Sequence, residues 1–596
     1  MDAINDFFLA FSSFLWGWPM IILLLGTHIF LTIRLRFPQR KILKAIKLSL
    51  KKDKNATGDV SQFGALATAL AATIGTGNII GVATAIALGG PGAVLWCWLT
   101  GVFGISTKYA EGLLAVKYRV KTRRGRMLGG PMYALEKGLG WKWLAILFAI
   151  FAALASFGIG STVQANAISS LVENQYGISP YITGAIVTIL GAAVILGGVK
   201  TISNVCGMLV PFMALFYVIG CIYILFVNHA YLLPALKVIL ESAFTTKAAG
   251  GGFAGSTLMM AARYGIARGL FSNESGLGSA PIVAAAAQTR NPVRQALVSS
   301  TGTFWDTVII CALTGLVITS SIIAYPDIDY HNGAALTKAA FSKIPYIGAP
   351  LLTFGLATFA FSTTLGWSYY GERCVEYLKG KKWMLCYRML YIASIFAGSV
   401  ISLGLVWNIA DCMNALMAIP NLVSLLCLSG IIVHETRKYL WRDRLDRDME
   451  ENEIEELEEL KEDIHDRMEE LAADYEGDEN NYGTKNIIED AKNDYVNMRK
   501  SLQTYVGDRY GEATDTAYSM KTKADDVAKL AQSGMDALDA ILNKMSELKT
   551  LGSTWESSIN ALPDGDSKAA MSADYKSESE VVRSVSLSSE IWGRKV

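Results

Sequence analysis

Two stretches rich in glycine and small polar residues are suited to hold a charged ligand. The first break, Gly75-Thr76-Gly77-Asn78, interrupts an apolar segment (64–88) long enough to cross a bilayer. Each glycine destabilises a helix by about 1 kcal/mol, and a broken helix frees amides at one end and carbonyls at the other. The amides suit a carboxylate, whereas carbonyls suit an ammonium group or a hard cation. We therefore predict that the Thr76, Gly77 and Asn78 amides bind the carboxylate of an amino acid.

The second break, residues 271–279, begins at Phe271 and contains Glu274. A charged side chain at the bilayer centre costs about 2.5–3.5 kcal/mol on insertion scales and normally faces a cavity or a partner. Glu274 is interpreted as the partner of a substrate ammonium group or as a proton carrier. The alternative is a fixed ion pair with Arg263 or Arg268.

A third group of polar atoms lies on one face of a later apolar segment. Ala360, Thr363 and Thr364 share this face by their spacing and offer one carbonyl and two hydroxyls. Oxygen ligands suit sodium or another hard cation, while the alternative is hydroxyls that bond to their own helix. Trp367, one turn beyond Thr363, would restrict the size of a bound side chain.

Further polar residues in apolar segments have less specific patterns. The amide of Gln164 suits either charge of a zwitterion, or it joins helices. Lys108 and Glu111, three residues apart, are predicted to neutralise each other as a structural pair. Asp306 and Asp411 receive no role from the pattern.

Composition indicates a membrane protein. The chain has 596 residues, of which 52% are hydrophobic and 18% charged, against roughly 25% charged in soluble domains. Sites of the HExxH or GxSxG type are absent, so an intramembrane enzyme is not indicated; a membrane sensor is the other alternative. The apolar runs predict eleven spans, near residues 14–35, 64–88, 92–117, 143–172, 180–198, 205–227, 253–287, 297–324, 347–377, 383–405 and 409–433.

The distribution of basic residues predicts the orientation of the spans. Lys and Arg cluster in segments 34–54 and 119–126 and after later odd-numbered spans. Positive charge stays inside, so we expect the N-terminus outside and the C-terminus in the cytoplasm of a cell-membrane protein. An odd number of spans agrees with this parity.

The two breaks also predict an internal symmetry. Their spans begin five spans apart and therefore have opposite orientations. Interrupted helices at corresponding positions of two inverted halves indicate the binding site of a secondary transporter. The alternative is close packing of helices through small residues.

Five glycine-rich or charged motifs stand out in the apolar part of the chain, at residues 74–85, 89–93, 107–111, 129–133 and 268–281. They resemble the alanine or glycine:cation symporter family, and the resemblance covers about residues 10–440. It implies a LeuT-like fold, in which one peripheral N-terminal helix precedes a five-plus-five inverted repeat. It also implies import of alanine or glycine with a co-transported cation and without a cofactor.

The resemblance also implies which residues bind the cation and which bind the amino acid. Sodium would take the carbonyls of Ala71, Ile74 and Ala360 and the hydroxyls of Thr363 and Thr364. A proton is the alternative to sodium as the coupling ion. The predicted substrate-binding set is Gly75, Thr76, Gly77, Asn78, Gln164, Phe271, Glu274, Thr363 and Trp367.

The predicted organisation is all-α with a soluble helical C-terminal extension. An N-terminal helix with a basic segment (1–60) precedes the first repeat (61–228), an extracellular connection (229–252) and the second repeat (253–433). Acidic residues and a narrow apolar seam predict a cytoplasmic helical hairpin or small bundle at 434–552, before a Ser-rich tail (553–596). The extension is either a native segment that binds a cytoplasmic protein partner or a fused domain. Nothing in it indicates nucleic acid.

Overall fold

The computed structural model describes residues 2–51, 56–122, 125–244, 258–329, 333–343, 345–346, 348–401 and 404–447. Within these ranges the regular structure is helical except for two strands of two residues each, Val120–Lys121 and Met127–Leu128. The predicted all-α fold class is confirmed. The helices predicted beyond residue 447 and the Ser-rich tail lie outside the described residues.

The described helices include enough long apolar ones for a multi-pass membrane protein. Seven are long and apolar enough to cross a bilayer, and an eighth span results when Gln62–Thr73 and Gly77–Gly89, bent by 52° at the first break, are counted together. The seven are Ile4–Arg34, Lys142–Tyr176, Gly198–Val227, Pro292–Ala324, Gly348–Lys379, Lys381–Val400 and Leu405–Cys427.

Three of the eleven predicted spans are helices that fail this test of length and hydropathy. Gly92–Lys117 has 26 residues but includes Lys108 and Glu111. Pro180–Ile195 and Leu258–Asn273 have 16 residues each, and the second of them ends where the second break begins. Charge in the first of these helices and the second break in the third reduce their apolar length, whereas Pro180–Ile195 is apolar but short.

Shorter elements connect the long helices. A helix, His229–Phe244, lies in the predicted extracellular connection, and residues 245–252 of that connection are outside the described ranges. The N-terminal span consists of Asp2–Leu15 and Trp18–Arg34. The remaining short helices are Pro38–Lys41, Ile42–Leu50, Pro131–Tyr133, Ala134–Gly138, Gly333–Ser342, Lys381–Trp383, Ser429–Thr436 and Arg437–Trp441.

Both predicted breaks are present as interruptions of helices. The first interrupted helix runs as Gln62–Thr73, then a π-helical turn Gly77–Gly81, then Val82–Gly89. The second runs as Leu258–Asn273 and resumes only for Pro281–Ala284. Each interruption leaves backbone groups without intrahelical partners, which must be satisfied elsewhere in an apolar environment.

The two interrupted helices are also joined at their ends away from the breaks. The amides of Asp59 and Val60 donate to the carbonyl of Ala286 at 2.8 and 3.1 Å, and the amide of Gln288 donates to the carbonyl of Val60 at 2.7 Å. Arg119 donates to the carbonyl of Ala287 at 2.8 Å. These bonds connect the two interrupted helices on that side of the breaks.

Two further π-helical segments lie in helices that line the breaks, Ser156–Thr162 and Phe304–Cys311. The first precedes Gln164 and the second contains Asp306. A π-helical turn shifts the register of the side chains that follow it and is frequent at functional sites.

Glycines let the helices beside the first break approach closely. A Cβ added at Gly366 would lie 2.7 Å from the Cβ and 2.8 Å from the backbone nitrogen of Ala72, in the first interrupted helix. A Cβ added at Gly160 would lie 2.2 Å from the Cβ of Trp367. Such contacts are typical of membrane helices, which associate through small residues.

We expect Gly366→Ala to lower the free energy of unfolding by about 1–3 kcal/mol, because the new methyl group has no room beside Ala72. Gly26→Ala is the matched control, since Gly26 is also inside a helix but has no heavy atom within 4 Å of an added Cβ. That variant should be neutral or more stable by up to about 1 kcal/mol. Thermal unfolding in detergent measures both, and equal melting temperatures for the two variants would contradict the packing described.

Candidate functional site

A cavity of about 820 Å³ leads to the first break. Thr76, Gly77 and Phe271 are among the residues that line the cavity, which therefore reaches both interrupted helices. Arg268 and Lys338 also line it. This volume lies in the range of small-molecule binding sites.

The carboxylate of Asp306 joins the two interrupted helices. Its Oδ1 accepts a hydrogen bond from the Asn78 side-chain amide at 2.7 Å, and its Oδ2 accepts one from the Ser272 hydroxyl at 3.1 Å. Thr307 donates a further bond to Oδ2 at 2.6 Å. Asn78 belongs to the first break and Ser272 to the second, and all three partners are buried. This fully buried carboxylate therefore fixes one break against the other.

Asn78 also organises the first break internally. Its side-chain oxygen accepts a hydrogen bond from the backbone amide of Gly75 at 2.9 Å. Its backbone amide donates to the carbonyl of Gly75 at 3.3 Å. Of the three amides predicted to bind a carboxylate, that of Asn78 is thus engaged within the break. Thr76 and Gly77 line the cavity. A Cβ at Gly77 would lie 3.4 Å from Phe271, so the two breaks are in contact here.

Glu111 supports the second break. Its Oε1 accepts from the amides of Gly276 and Gly278 at 3.0 and 3.1 Å and from the Asn421 side chain at 2.7 Å. Both glycines have positive φ, 91° and 86°, which only glycine adopts readily. The role predicted from spacing, a structural pair with Lys108, describes only part of this arrangement, since the Lys108–Glu111 distance is 4.0 Å.

Glu274 lies at the centre of the second break, and only 4% of its surface is exposed. Its Oε1 accepts from the Trp367 indole at 3.0 Å, and its Oε2 accepts from the Ser279 hydroxyl. Glu274 also has a positive φ of 53°, which is uncommon for a residue with a side chain and marks backbone strain of the kind found at functional sites. In the described ranges its recorded partners are these two, not Arg263 or Arg268.

Gln164 and Thr363 meet the first break at Gly75. The Gln164 amide nitrogen donates to the carbonyl of Ile159 at 2.9 Å, and among the described residues its side-chain oxygen has no hydrogen-bond partner. A Cβ at Gly75 would lie 3.6 Å from that oxygen and 2.5 Å from the Thr363 hydroxyl. Only glycine fits here, and an unused acceptor faces the break.

The residues predicted to hold a cation are partly brought together. The Thr363 hydroxyl lies 3.4 Å from the carbonyl of Ile74, and the Ser362 hydroxyl donates to the carbonyl of Ala71 at 3.2 Å. The Thr364 hydroxyl donates to the carbonyl of Ala360 at 3.1 Å, within its own helix. The alternative from the sequence, a hydroxyl that bonds to a carbonyl of its own helix, therefore occurs at Thr364, while Thr363 and Ser362 contact carbonyls of the first interrupted helix.

Sequence reasoning left out three residues that the structure places at the site. The sequence pattern gives no role to Asp306 and does not distinguish Ser272, and it favours Thr363 and Thr364 over the neighbouring Ser362. A lone carboxylate inside an apolar span is itself a signal of function, so Asp306 could have been found. The positions of Ser272 and Ser362 depend on helix rotation, which spacing alone does not determine.

Sequence similarity connects this chain to a known family. Residues 1–453 match the model of the sodium:alanine symporter family. A sodium/alanine symporter of Methanococcus maripaludis is 52% identical over 436 residues, which are 72% of this chain and 95% of that protein. An uncharacterized transporter of Haemophilus influenzae is 51% identical over 445 residues, 74% of this chain and 97% of that protein.

Among solved structures, MhsT in complex with L-phenylalanine overlaps 63% of this chain and 98% of its own, with a TM-score of 0.43 and 15% identity. The family match covers most of the chain, and the identity to the archaeal relative is high over nearly the whole of that relative. This chain therefore belongs to the sodium:alanine symporter family, whose members are membrane transporters and not enzymes.

Proposed function

We propose that this protein imports a small neutral amino acid, alanine or glycine, together with sodium, by alternating access. The observation that carries the proposal is the pair of interrupted helices joined through the Asp306 carboxylate, with Glu274 buried beside them. Interrupted helices at the membrane midplane are where secondary transporters bind their cargo. The sodium/alanine symporter among the relatives supports the choice of cargo.

The amino acid would lie between the two breaks. The amides of Thr76 and Gly77, at the cavity floor, would bind its carboxylate, with the Gln164 oxygen near its ammonium group. Glu274 accepts two hydrogen bonds and as a carboxylate retains lone pairs for an ammonium donor. Phe271, which lines the cavity, and Trp367, which donates to Glu274, would enclose the side chain of the amino acid.

Sodium would bind where the first interrupted helix meets helix Gly348–Lys379. The carbonyls of Ala71, Ile74 and Ala360 and the hydroxyls of Thr363 and Thr364 supply oxygen ligands, the kind that hard cations prefer. The contact of Thr363 with Ile74 supports this placement. Because no ligand in this set needs to titrate, sodium suits the site better than a proton.

The proposed topology has eleven spans, a peripheral first helix and two inverted repeats of five helices in a LeuT-like fold. The N-terminus lies outside and the C-terminus in the cytoplasm of the cell membrane, as basic residues favour. In this orientation the 820 Å³ cavity opens outward, and the bonds between Val60, Ala286 and Gln288 close the cytoplasmic side. One cation crossing 100 mV provides about 2.3 kcal/mol, enough for roughly 50-fold accumulation.

The purified protein in proteoliposomes should accumulate radiolabelled alanine when sodium is high outside. Equal sodium on both sides should abolish accumulation while allowing exchange of internal and external alanine. Uptake driven by a pH gradient and indifferent to sodium would contradict the cation assignment. Alanine binding without any counterflow would instead indicate a sensor.

Thr363→Ala combined with Thr364→Ala should raise the sodium concentration for half-maximal uptake by about 30-fold, because two hydroxyl ligands at about 1 kcal/mol each contribute about 2 kcal/mol. Thr358→Ala is the control, since Thr358 bonds to the carbonyl of Phe354 within the same helix, away from the first break. It should leave the sodium dependence unchanged. Equal sodium curves for the double variant and the wild type would refute the site.

Glu274→Gln should raise the alanine concentration for half-maximal uptake by about 10- to 100-fold, because hydrogen bonds to charged groups contribute about 1.5–3 kcal/mol. Glutamine still accepts a bond from Trp367, so the loss reports the charge rather than the fold. Glu274→Asp keeps the charge and should retain more affinity than Glu274→Gln. Wild-type alanine affinity in Glu274→Gln would exclude an ammonium partner at this position.

A further inference from the structure

Lys108 is a buried cation that the proposed binding of alanine and sodium does not use. It lies in helix Gly92–Lys117, its exposed fraction is 3%, and in the described part of the chain its ammonium group makes no hydrogen bond. Its ion pair with Glu111 has a distance of 4.0 Å to Oε2, an oxygen that also makes no hydrogen bond there. Burying an ammonium group this way costs free energy. A purely structural lysine would be expected to bond its partner directly.

Lys108 lies on the side of the breaks where Val60 bonds to Ala286 and Gln288. It borders a void of about 10 Å³, the size of one water molecule. Ala65 and Ala69 of the first interrupted helix and Ala280 and Ala284 after the second break line the same void. The ammonium group is therefore set between the two elements that must separate for the site to open inward.

The surroundings of Lys108 hold more negative than positive charge. Glu111, Glu274 and Asp306 are at most 4% exposed, and Lys108 interacts electrostatically with each of them. His28 is a further buried neighbour that interacts with Lys108. With the carboxylates ionised, one lysine faces three negative charges at low dielectric, where uncompensated charge is expensive.

The cargo changes this balance only while it is bound. A zwitterionic amino acid adds no net charge, but its ammonium group lies near Glu274, and sodium adds one positive charge. When both have left, Lys108 is a cation that remains and interacts electrostatically with these three carboxylates. A carrier with too much buried negative charge would resist reorientation when empty.

We propose that Lys108 is the resident counter-ion of the empty site and allows the unloaded carrier to return. This inference rests on the proposed symport function and on Glu274 as the partner of the substrate ammonium group. Net uptake requires the return of an empty site in every cycle, whereas exchange moves a loaded site in both directions. Lys108 is therefore needed for net uptake and dispensable for exchange.

The experiment compares Lys108→Met in two proteoliposome assays with alanine and sodium. Net uptake under an inward sodium gradient should fall at least tenfold, whereas alanine exchange at equal sodium should stay within twofold of the wild type. Lys117→Met, which removes a lysine from the end of the same helix, should show no such split. If Lys108→Met does not fold, Lys108→Gln serves for the same comparison, with monodispersity in detergent as the check.

The double variant Lys108→Met with Glu111→Gln separates the counter-ion from a structural pair. Glutamine keeps an acceptor oxygen for the amides of Gly276 and Gly278, and exchange by the double variant shows whether the second break is intact. If Lys108 only neutralises Glu111, removing both charges restores net uptake. If Lys108 serves the empty site, net uptake stays slow while exchange is retained. Equal losses in both assays, no loss in either, or restoration in the double variant would each overturn the inference. Sodium-driven uptake by the wild type is measured in parallel, so its absence would refute the symport function rather than the role of Lys108.

Discussion

The hydrogen bonds of Asp306 are the interaction on which the rest of the site depends. A helix broken inside a membrane exposes amides and carbonyls that lipid does not satisfy. Here the carboxylate binds the Asn78 side chain, whose oxygen in turn accepts from the Gly75 amide. The same carboxylate binds Ser272 at the second break. One buried charge thus holds both interruptions and fixes their separation.

The second break relies on Glu111 in a similar way. Its carboxylate satisfies the amides of Gly276 and Gly278, which follow a left-handed path. Asn421 ties this carboxylate to the carbonyl of Gly276 as well. Removing the Glu111 carboxylate would leave several buried hydrogen-bond donors unpaired, each at a cost of about 1–3 kcal/mol. The hydrogen bonds around the second break therefore hold the backbone of Glu274 in its strained, positive-φ conformation.

The sequence predicted the breaks because glycine, threonine and asparagine in an apolar run have a direct local cause. The same is true of the helical fold class, which follows from runs of apolar residues. The partners of side chains are harder to predict. For Glu274 the sequence predicts a substrate ammonium group or a proton, with Arg263 or Arg268 as the alternative, and it does not indicate the bonds from Trp367 and Ser279. Spacing pairs Glu111 with Lys108 because they are neighbours on one helix, yet its hydrogen bonds come from the second break and from Asn421.

Such errors share a physical reason. Spacing within a helix shows which side chains share a face, but the rotation and tilt of packed helices decide what that face meets. Gly366 and Gly160 set these approaches through contacts with Ala72 and Trp367. Their partners are hundreds of residues away, so no local pattern encodes them. The eleven-span count has a related limit, since Gly92–Lys117 is long enough to span a bilayer but contains the charged residues Lys108 and Glu111.

The central claim is that the two breaks, joined by Asp306, form one binding site. The most direct test is an experimental structure of the protein with alanine and sodium bound. The account predicts the alanine carboxylate on the amides of Thr76 and Gly77 and its ammonium group within hydrogen-bond distance of Glu274. Alanine bound elsewhere in the cavity, in contact with neither break, would contradict it.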